Sequence, residues 1–252
     1  MILSDPHHDR SPFPESLQRS HKLTLFYVQA DYGSRRPVRE SDVQRGLLQT
    51  IPMPEDKAIK GFIMGLTFLP QLQHVCVVYQ LIGEIWLFPL DDSRKGRCFP
   101  LRTTWPMGLT SLKTKPNTVV VARHEEKLLH VVTFAKKTGS ENIDVAGQML
   151  WRLRFRPANI SSFKTDLLLV LDGEELVVWI FTEGGNKQGS IRIQIENPET
   201  MFSFACIGTA KGLWVALNNE ETKNIIHIVR VNQQGKITLR YADVNQIGRA
   251  HV

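Results

Sequence analysis

The sequence has few of the residues and patterns that mark disulfide-rich, metal-binding or membrane proteins. Its three cysteines, Cys76, Cys98 and Cys206, are far apart in apolar segments and have no CxxC spacing. This usage fits reduced, buried thiols in an intracellular protein better than a disulfide framework or a zinc site. No run approaches the roughly 18 apolar residues that a membrane helix needs, because three carboxylates interrupt the longest candidate, 167–181. We therefore predict no membrane insertion.

The N-terminus also lacks the apolar run of a signal peptide. The chain has 252 residues, of which 42% are hydrophobic and 22% charged, and this composition is ordinary for a soluble globular protein. The net charge of +6 is spread along the chain, so it is compatible with an acidic partner or a nucleic acid without identifying either. The expected location is the cytoplasm or the nucleus.

An internal repeat of about 45 residues is the main signal in the sequence. Four similar segments begin at His74, Thr118, Asp166 and Gly212, about 44, 48 and 46 residues apart. Each has an apolar, β-branched run, a short polar turn and a second apolar run. Turns rich in Asp, Gly or Asn between two such runs indicate β-hairpins, because these residues accept the positive φ of a tight turn.

Two further strands are predicted for each unit. Outer strands are expected after the hairpins, at 97–102, 149–156, 190–196 and 236–243. Shorter inner strands are expected before them, at 60–69, 107–113, 159–163 and 201–207. The hairpin strands are nearly continuous in apolar residues, which predicts cover on both faces, whereas the outer strands alternate apolar and charged residues.

The spacing of the units favours an all-β, incomplete β-propeller over a sandwich or an irregular barrel. We predict about four full four-stranded blades plus an N-terminal partial blade made from 22–29 and 46–53. The expected organisation is a disordered N-terminal tail over 1–20, followed by the partial propeller over 21–246.

The units resemble the WD-repeat family of β-propellers in their length and their central hairpin, over roughly residues 58–244. Trp86 and Trp179 are similar to the aromatic position in that family's third strand. The Gly-His pair and the Trp-Asp ending of the family are absent. The resemblance implies a non-enzymatic interaction platform, and it implies a ring that usually needs seven blades.

The last six residues, 247–252, resemble the translation of a widely used short-read sequencing adapter. We expect them to be a sequence artefact and exclude them from fold reasoning. On this interpretation the chain is a fragment whose natural sequence continues past Gln246.

The sequence predicts no catalytic residue, no cofactor and no metal site, and we expect the chain not to be an enzyme. There is no GxSxG, GxxxxGK[ST] or HExxH motif. The histidines His74, His124, His130 and His227 are expected on different blades, with His130 and His227 as core or interblade residues. The paired carboxylates fall in or beside predicted turns, and 184–189 is interpreted as a long connection between strands.

Three arginines, Arg152, Arg154 and Arg156, form a candidate basic contact surface. They alternate with Trp151, Leu153 and Phe155, so we expect them on one face of an outer strand. A solvated edge is favoured over a phosphate-binding surface, because nucleic-acid surfaces usually add exposed aromatic side chains for stacking.

These observations favour an intracellular protein-interaction scaffold, the propeller module of a larger complex subunit whose partners are other protein subunits. The first alternative is a propeller subunit associated with nucleic acid, for example in RNA processing. The second is a propeller enzyme of the lactonase or dehydrogenase kind, which would need histidines or carboxylates around a metal in a central channel.

Overall fold

A computed structural model describes residues 22–30, 43–52, 63–79, 83–90, 96–101, 105–164, 166–195, 201–209, 212–219 and 226–242. The expected tail over 1–20 and the segment 247–252 lie outside these residues, as do parts of the turns predicted at 81–84 and 218–221. The chain divides into two compact units: 1–58 with 90–95, and 59–89 with 96–252. No helix among the described residues is long and apolar enough to cross a membrane.

In the first unit, β1 (Lys22–Ala30) pairs antiparallel with β2 (Val43–Pro52). Together they form a two-stranded sheet. The pairing register shifts once, between Leu25 and Phe26. The two N-terminal strands predicted at 22–29 and 46–53 are therefore present.

The second unit contains four four-stranded antiparallel sheets, each built from strands consecutive in sequence. Blade I consists of β3 (Ile63–Leu69), β4 (His74–Tyr79), β5 (Glu84–Pro89) and β6 (Arg97–Pro100). Blade II consists of β7 (Pro106–Ser111), β8 (Thr118–Arg123), β9 (Leu128–Lys136) and β10 (Ile143–Arg152). Blade III consists of β11 (Pro157–Phe163), β12 (Leu167–Asp172), β13 (Val177–Thr182) and β14 (Lys187–Arg192). Blade IV consists of β15 (Met201–Thr209), β16 (Gly212–Asn219), β17 (Ile226–Val231) and β18 (Ile237–Ala242).

The sheets follow one another through their first strands, β3 against β7, β7 against β11, and β11 against β15. Four consecutive meanders joined in this way are the blades of a β-propeller. The predicted all-β propeller with four full blades is confirmed.

The central strands explain how the blades hold together. All six residues of β8 are buried. Val119 and Val121 join a cluster shared with blade I, whereas Val120 and Ala122 join a cluster shared with blade III. Because successive side chains of a strand point to opposite faces, a continuous apolar run fills both interblade spaces at once. The predicted cover on both faces is thus confirmed for this strand.

In the hairpin turn of blade III, the residue with the positive φ is not the glycine that the prediction assumed. In the turn from Asp172 to Leu176, the positive φ falls on Leu176 (52°) and not on Gly173. Glycine is required at 173 for space, since a Cβ there would lie 2.7 Å from the carbonyl oxygen of Ser203 in blade IV. The equivalent turn of blade II likewise has its positive φ on the last residue, Lys127 (53°).

The outer strands are displaced from their predicted positions. Strand β10 runs over Ile143–Arg152 and not over 149–156, so 153–156 form the connection to blade III. The mixed polarity of 143–148 hid the first half of this strand. Similarly, β14 begins at Lys187, so 184–189 are a tight turn and the start of a strand, and the predicted long connection is wrong.

Candidate interaction surfaces

The structure separates the three arginines of the candidate basic surface. Arg152 ends β10 and Arg154 lies in the connection that follows; both are exposed, and neither forms an ion pair with a described residue. Arg156 instead lies 3.8 Å from a carboxylate oxygen of Glu125 and 3.6 Å from one of Glu174. These two carboxylates belong to the hairpin turns of blades II and III. Two arginines are therefore available to a ligand, and the third bridges two blades.

The apolar residues that alternate with these arginines face inward. Trp151, Leu153 and Phe155 are partly buried against the apolar cluster shared by blades II and III. The ring of Phe155 stacks on Trp179 with 5.5 Å between the centroids. The alternation seen in the sequence therefore continues past the end of β10, but it places no aromatic face beside the arginines for a base to stack on.

Turn carboxylates are largely engaged with neighbouring cations and amides. Glu126 lies 2.7 Å from Arg123, and Glu175 lies 3.4 Å from Arg192. The buried carboxylate of Asp172 accepts a hydrogen bond from the backbone amide of Glu175 at 3.2 Å. Burial raises the pKa of Asp172, while hydrogen bonds from the turn backbone lower it. These contacts hold the turns, as the sequence predicts for such residues.

Histidines do not converge in the described structure. His124 and His130 share blade II, which corrects the prediction of separate blades, while His74 lies in blade I and His227 in blade IV. The ring of His130 is buried, and its Nε2 lies 2.9 Å from Oε1 of Gln148. Burial lowers the pKa of His130, and the bond to Gln148 partly offsets this. The described residues contain no group of three His, Cys, Asp or Glu side chains suited to a metal ion.

The cysteines differ in exposure. Cys76 and Cys206 are buried free thiols, as predicted, but Cys98 is exposed on β6. The prediction of a buried thiol fails there because β6 is an outer strand with one partner. Burial raises the pKa of Cys76 and of Cys206, the latter to about 12.

Sequence reasoning missed a buried carboxylate. Glu183, which follows β13, is 3% exposed, and its Oε2 accepts a hydrogen bond from the amide of Thr114 at 2.8 Å. Its Oε1 accepts from the amide of Lys113 at 2.5 Å. The signal available in the sequence was a glutamate placed directly after an apolar strand. Because blade II supplies both amide donors, the contact stabilises the blade II–III interface.

Exposed apolar side chains are a second feature that sequence could not assign. Met149 and Leu150, on β10, are 53% and 54% exposed. Other large exposed apolar residues lie on the first strands and on blade IV, or precede β7: Leu66, Phe68, Trp105, Ile207 and Leu239. Because successive side chains of a strand point to opposite faces, Met149 and Leu150 place one exposed apolar side chain on each face of β10.

Comparison with known proteins places the chain by fold alone. No family model and no curated protein matches it. A protein of unknown function from Bacteroides caccae is similar with a TM-score of 0.55 and 12% identity, covering 82% of this chain and 76% of that one. The inactive H270A virginiamycin B lyase from Staphylococcus aureus, with quinupristin, is similar at 0.51 and 15%, covering 81% and 60%.

The Cps50 (Swd1) β-propeller domain of Myceliophteria thermophila has a TM-score of 0.49 and 14% identity, covering 81% of this chain and 66% of that one. The chain thus spans less than two thirds of the length of the lyase and of the Cps50 domain. At identities of this size a likeness shows the fold alone; the four blades themselves confirm the predicted resemblance to β-propellers.

Proposed function

We propose that the chain is a non-enzymatic protein-interaction scaffold, the propeller module of a larger complex subunit acting in the cytoplasm or nucleus. The observation that supports this most directly is the pair Met149 and Leu150, which are about half exposed on a strand anchored in a rigid blade. Exposed apolar side chains on a rigid framework lose little conformational entropy on binding a partner.

The hydrogen bonds of two buried polar side chains are consistent with this role. The buried carboxylate of Glu183 accepts hydrogen bonds from backbone donors of the neighbouring blade. The ring of His130 is oriented by Gln148. Groups engaged in this way support the packing of blades, whereas general acid–base catalysis needs titratable groups that converge on a substrate.

The proposal is tested by purifying the tagged chain from its own cells and quantifying what is recovered with it. We expect at least one protein at near-equimolar recovery that forms a stable complex when the two purified chains are mixed and analysed by light scattering. Nuclease treatment should leave the recovery unchanged. Recovery of the chain alone, or discovery of a turned-over substrate, would contradict the proposal.

A nucleic-acid-associated subunit is the second candidate, supported by exposed Arg152 and Arg154 beside a net charge of +6. A labelled 20-nucleotide single-stranded RNA should then bind at low salt, with log affinity falling by about 0.7 per phosphate contact for each unit of log salt. The double variant Arg152→Glu with Arg154→Glu should lose this binding. Arg240→Glu is the control, because that side chain is exposed on the outer strand of another blade. Absence of binding at low salt removes this candidate.

A further inference from the structure

Strand β10 is the longest outer strand of the four blades, with ten residues against four in β6 and six in β14 and β18. Among the strands that the structure describes, β10 is hydrogen-bonded to β9 alone. An outer strand leaves a row of backbone N–H and C=O groups free to pair with another strand. Length alone therefore gives β10 the greatest capacity for such pairing.

The outer strands of the other blades carry the residues that usually block edge pairing. β6 contains Arg97 and Pro100, β14 has charges at both ends, and β18 contains Arg240. β10 also has charges near its ends, Asp144 and Arg152, but five consecutive exposed residues between them, 146–150, carry no charge and no proline. Natural sheets place charges, prolines or short strands at their edges to prevent such pairing, and among the outer strands of the four blades β10 has the longest segment without them.

The two ends of β10 differ in whether their outer edge is free to pair with another strand. At the start, the backbone oxygen of Ile143 accepts a hydrogen bond from Arg97 at 2.8 Å, so this part of the edge is occupied. A bulge between Val145 and Gly147 then interrupts the register. From Gly147 to Arg152 the register with β9 is regular. The open edge is therefore a six-residue segment that ends beside Arg152 and Arg154.

This open edge is held firmly in place. The residues of β9 that pair with it lie in the centre of blade II and are mostly buried. Trp151 packs against the blade II–III cluster, and its Nε1 donates a hydrogen bond to Sδ of Met149 at 2.9 Å. A preformed edge reduces the entropy cost of ordering a ligand on it.

We propose that the Gly147–Arg152 edge of β10 binds an extended segment of a partner protein as a fifth strand of blade II. The segment carries β-branched side chains opposite Met149 and Leu150, which point to opposite faces of the strand, and carboxylates at the end that lies beside Arg152 and Arg154. This inference rests on the proposed function and names the surface and the chemistry of its partner.

Charge decides between a partner segment and a second copy of this chain. Pairing two copies through β10 would offer the carboxylates of Asp144 and Glu141 to the arginines. Asp144 already lies 3.8 Å from Arg97, and Glu141 lies 3.0 Å from Lys136. A second copy would have to exchange these ion pairs for new ones and gain little, whereas an acidic partner segment brings additional carboxylates.

The test uses a fluorescent ten-residue peptide, four Val-Thr repeats followed by two glutamates, titrated with the whole chain by anisotropy. In two further peptides every second backbone amide is N-methylated. The methyl groups lie along one edge of the extended strand in the first peptide and along the opposite edge in the second, so each peptide lacks the hydrogen-bond donors of one edge. Side chains and charge are identical in all three. We expect one methylated peptide to lose binding by tenfold or more and the other to retain it. Equal binding of all three, or none at about 1 mM, overturns the proposal.

Variants of the chain locate the site. Met149→Lys with Leu150→Lys places two charges on the open edge, and we expect at least about a tenfold loss of peptide affinity. Leu239→Lys is the matched control, since that side chain is exposed on the outer strand of blade IV. All three side chains are exposed, and thermal unfolding verifies that each variant is folded. Equal affinity of the double variant and the control contradicts the proposed position.

A charge exchange tests the acidic end of the segment. The double variant Arg152→Glu with Arg154→Glu should bind the glutamate-ended peptide more weakly than the wild type does. It should bind a lysine-ended version of the peptide more tightly. Arg240→Glu, on β18, should alter neither peptide. If the exchange fails to reverse the preference, the proposed chemistry of the partner is wrong.

Two further outcomes separate this inference from the proposed function. If a stoichiometric protein partner is recovered but still binds the Met149→Lys, Leu150→Lys variant with unchanged affinity, the scaffold role holds and the β10 proposal fails. If sedimentation shows a dimer of the wild type that this variant abolishes, a second copy covers the edge and the proposal is overturned. If no partner of any kind is recovered, the proposed function itself fails.

Discussion

Oε2 of Glu183, at the end of the second hairpin strand of blade III, accepts a hydrogen bond from the amide of Thr114 in blade II at 2.8 Å. The hydroxyl of Thr114 donates to the same oxygen. Because the amide of Lys113 also donates to Oε1 of Glu183, one side chain satisfies two adjacent backbone donors of another blade. Buried amides without an acceptor are costly, so this contact ties the two blades together.

Glu183→Ala should destabilise the fold markedly, because it leaves two backbone donors without their acceptor. The expected loss is about 2–4 kcal/mol in the free energy of unfolding, measured by urea denaturation with tryptophan fluorescence. Glu183→Gln keeps one acceptor oxygen, so its free energy of unfolding should fall less. Glu141→Ala, at a carboxylate that is 94% exposed and paired with Lys136, serves as control and should change stability by less than about 1 kcal/mol. A similar small change in Glu183→Ala would show that the interblade contact contributes little.

Gly235 provides a second test of how adjacent blades meet. Its φ is +83°, and a Cβ built on it would lie 1.8 Å from the carbonyl oxygen of Arg192. The amide of Gln194 donates to the carbonyl oxygen of Gly235 at 2.9 Å. Gly235→Ala should therefore lower the free energy of unfolding, measured by urea denaturation, by at least the roughly 1–2 kcal/mol that a left-handed residue costs. Gly189→Ala has open space around its Cβ and should be tolerated; equal stability of the two variants would argue against the close approach.

Much of the fold could be predicted because the same apolar pattern recurs in the central strands of every blade. β8 has four apolar residues in an unbroken run and β12 has five, and burial on both faces requires this pattern. Repetition at about 45 residues then fixed the order of the strands. The outer strands were displaced, as for β10, because a strand with one partner and one open side needs no strict pattern.

The surfaces could be predicted only in part. The sequence identified Arg152, Arg154 and Arg156 as a set, but it could not show that Arg156 lies between Glu125 and Glu174. Those three residues are far apart in the chain and meet only because hairpin turns of neighbouring blades converge. Glu183 was missed for the same reason, since its donors lie about 70 residues away.

The three free thiols should react at different rates. Cys98 is exposed, whereas Cys76 and Cys206 are buried. Burial raises the pKa of Cys206 to about 12, so the reactive thiolate is scarce in the folded chain at neutral pH. We expect an aromatic disulfide reagent to titrate one thiol rapidly in the native chain and three in denaturant. Cys98→Ser should remove the rapid phase; a rapid phase that persists in this variant would show that a central strand opens readily.

His130 should make stability depend on pH in the mildly acidic range. Burial lowers its pKa below the ordinary value of about 6.5, so on acidification the unfolded chain takes up this proton before the folded chain does. The stabilisation from neutral His130 is thus complete above about pH 6.5 and is lost as the pH falls through the lowered pKa of the folded state, by at most about 1.4 kcal/mol per pH unit. Nearby Arg123 acts in the same direction. His130→Gln should flatten this part of the curve when urea unfolding is measured from pH 7.5 to 5. If wild type and His130→Gln lose stability in parallel, the pH dependence comes from other groups and the buried ring does not titrate in this range.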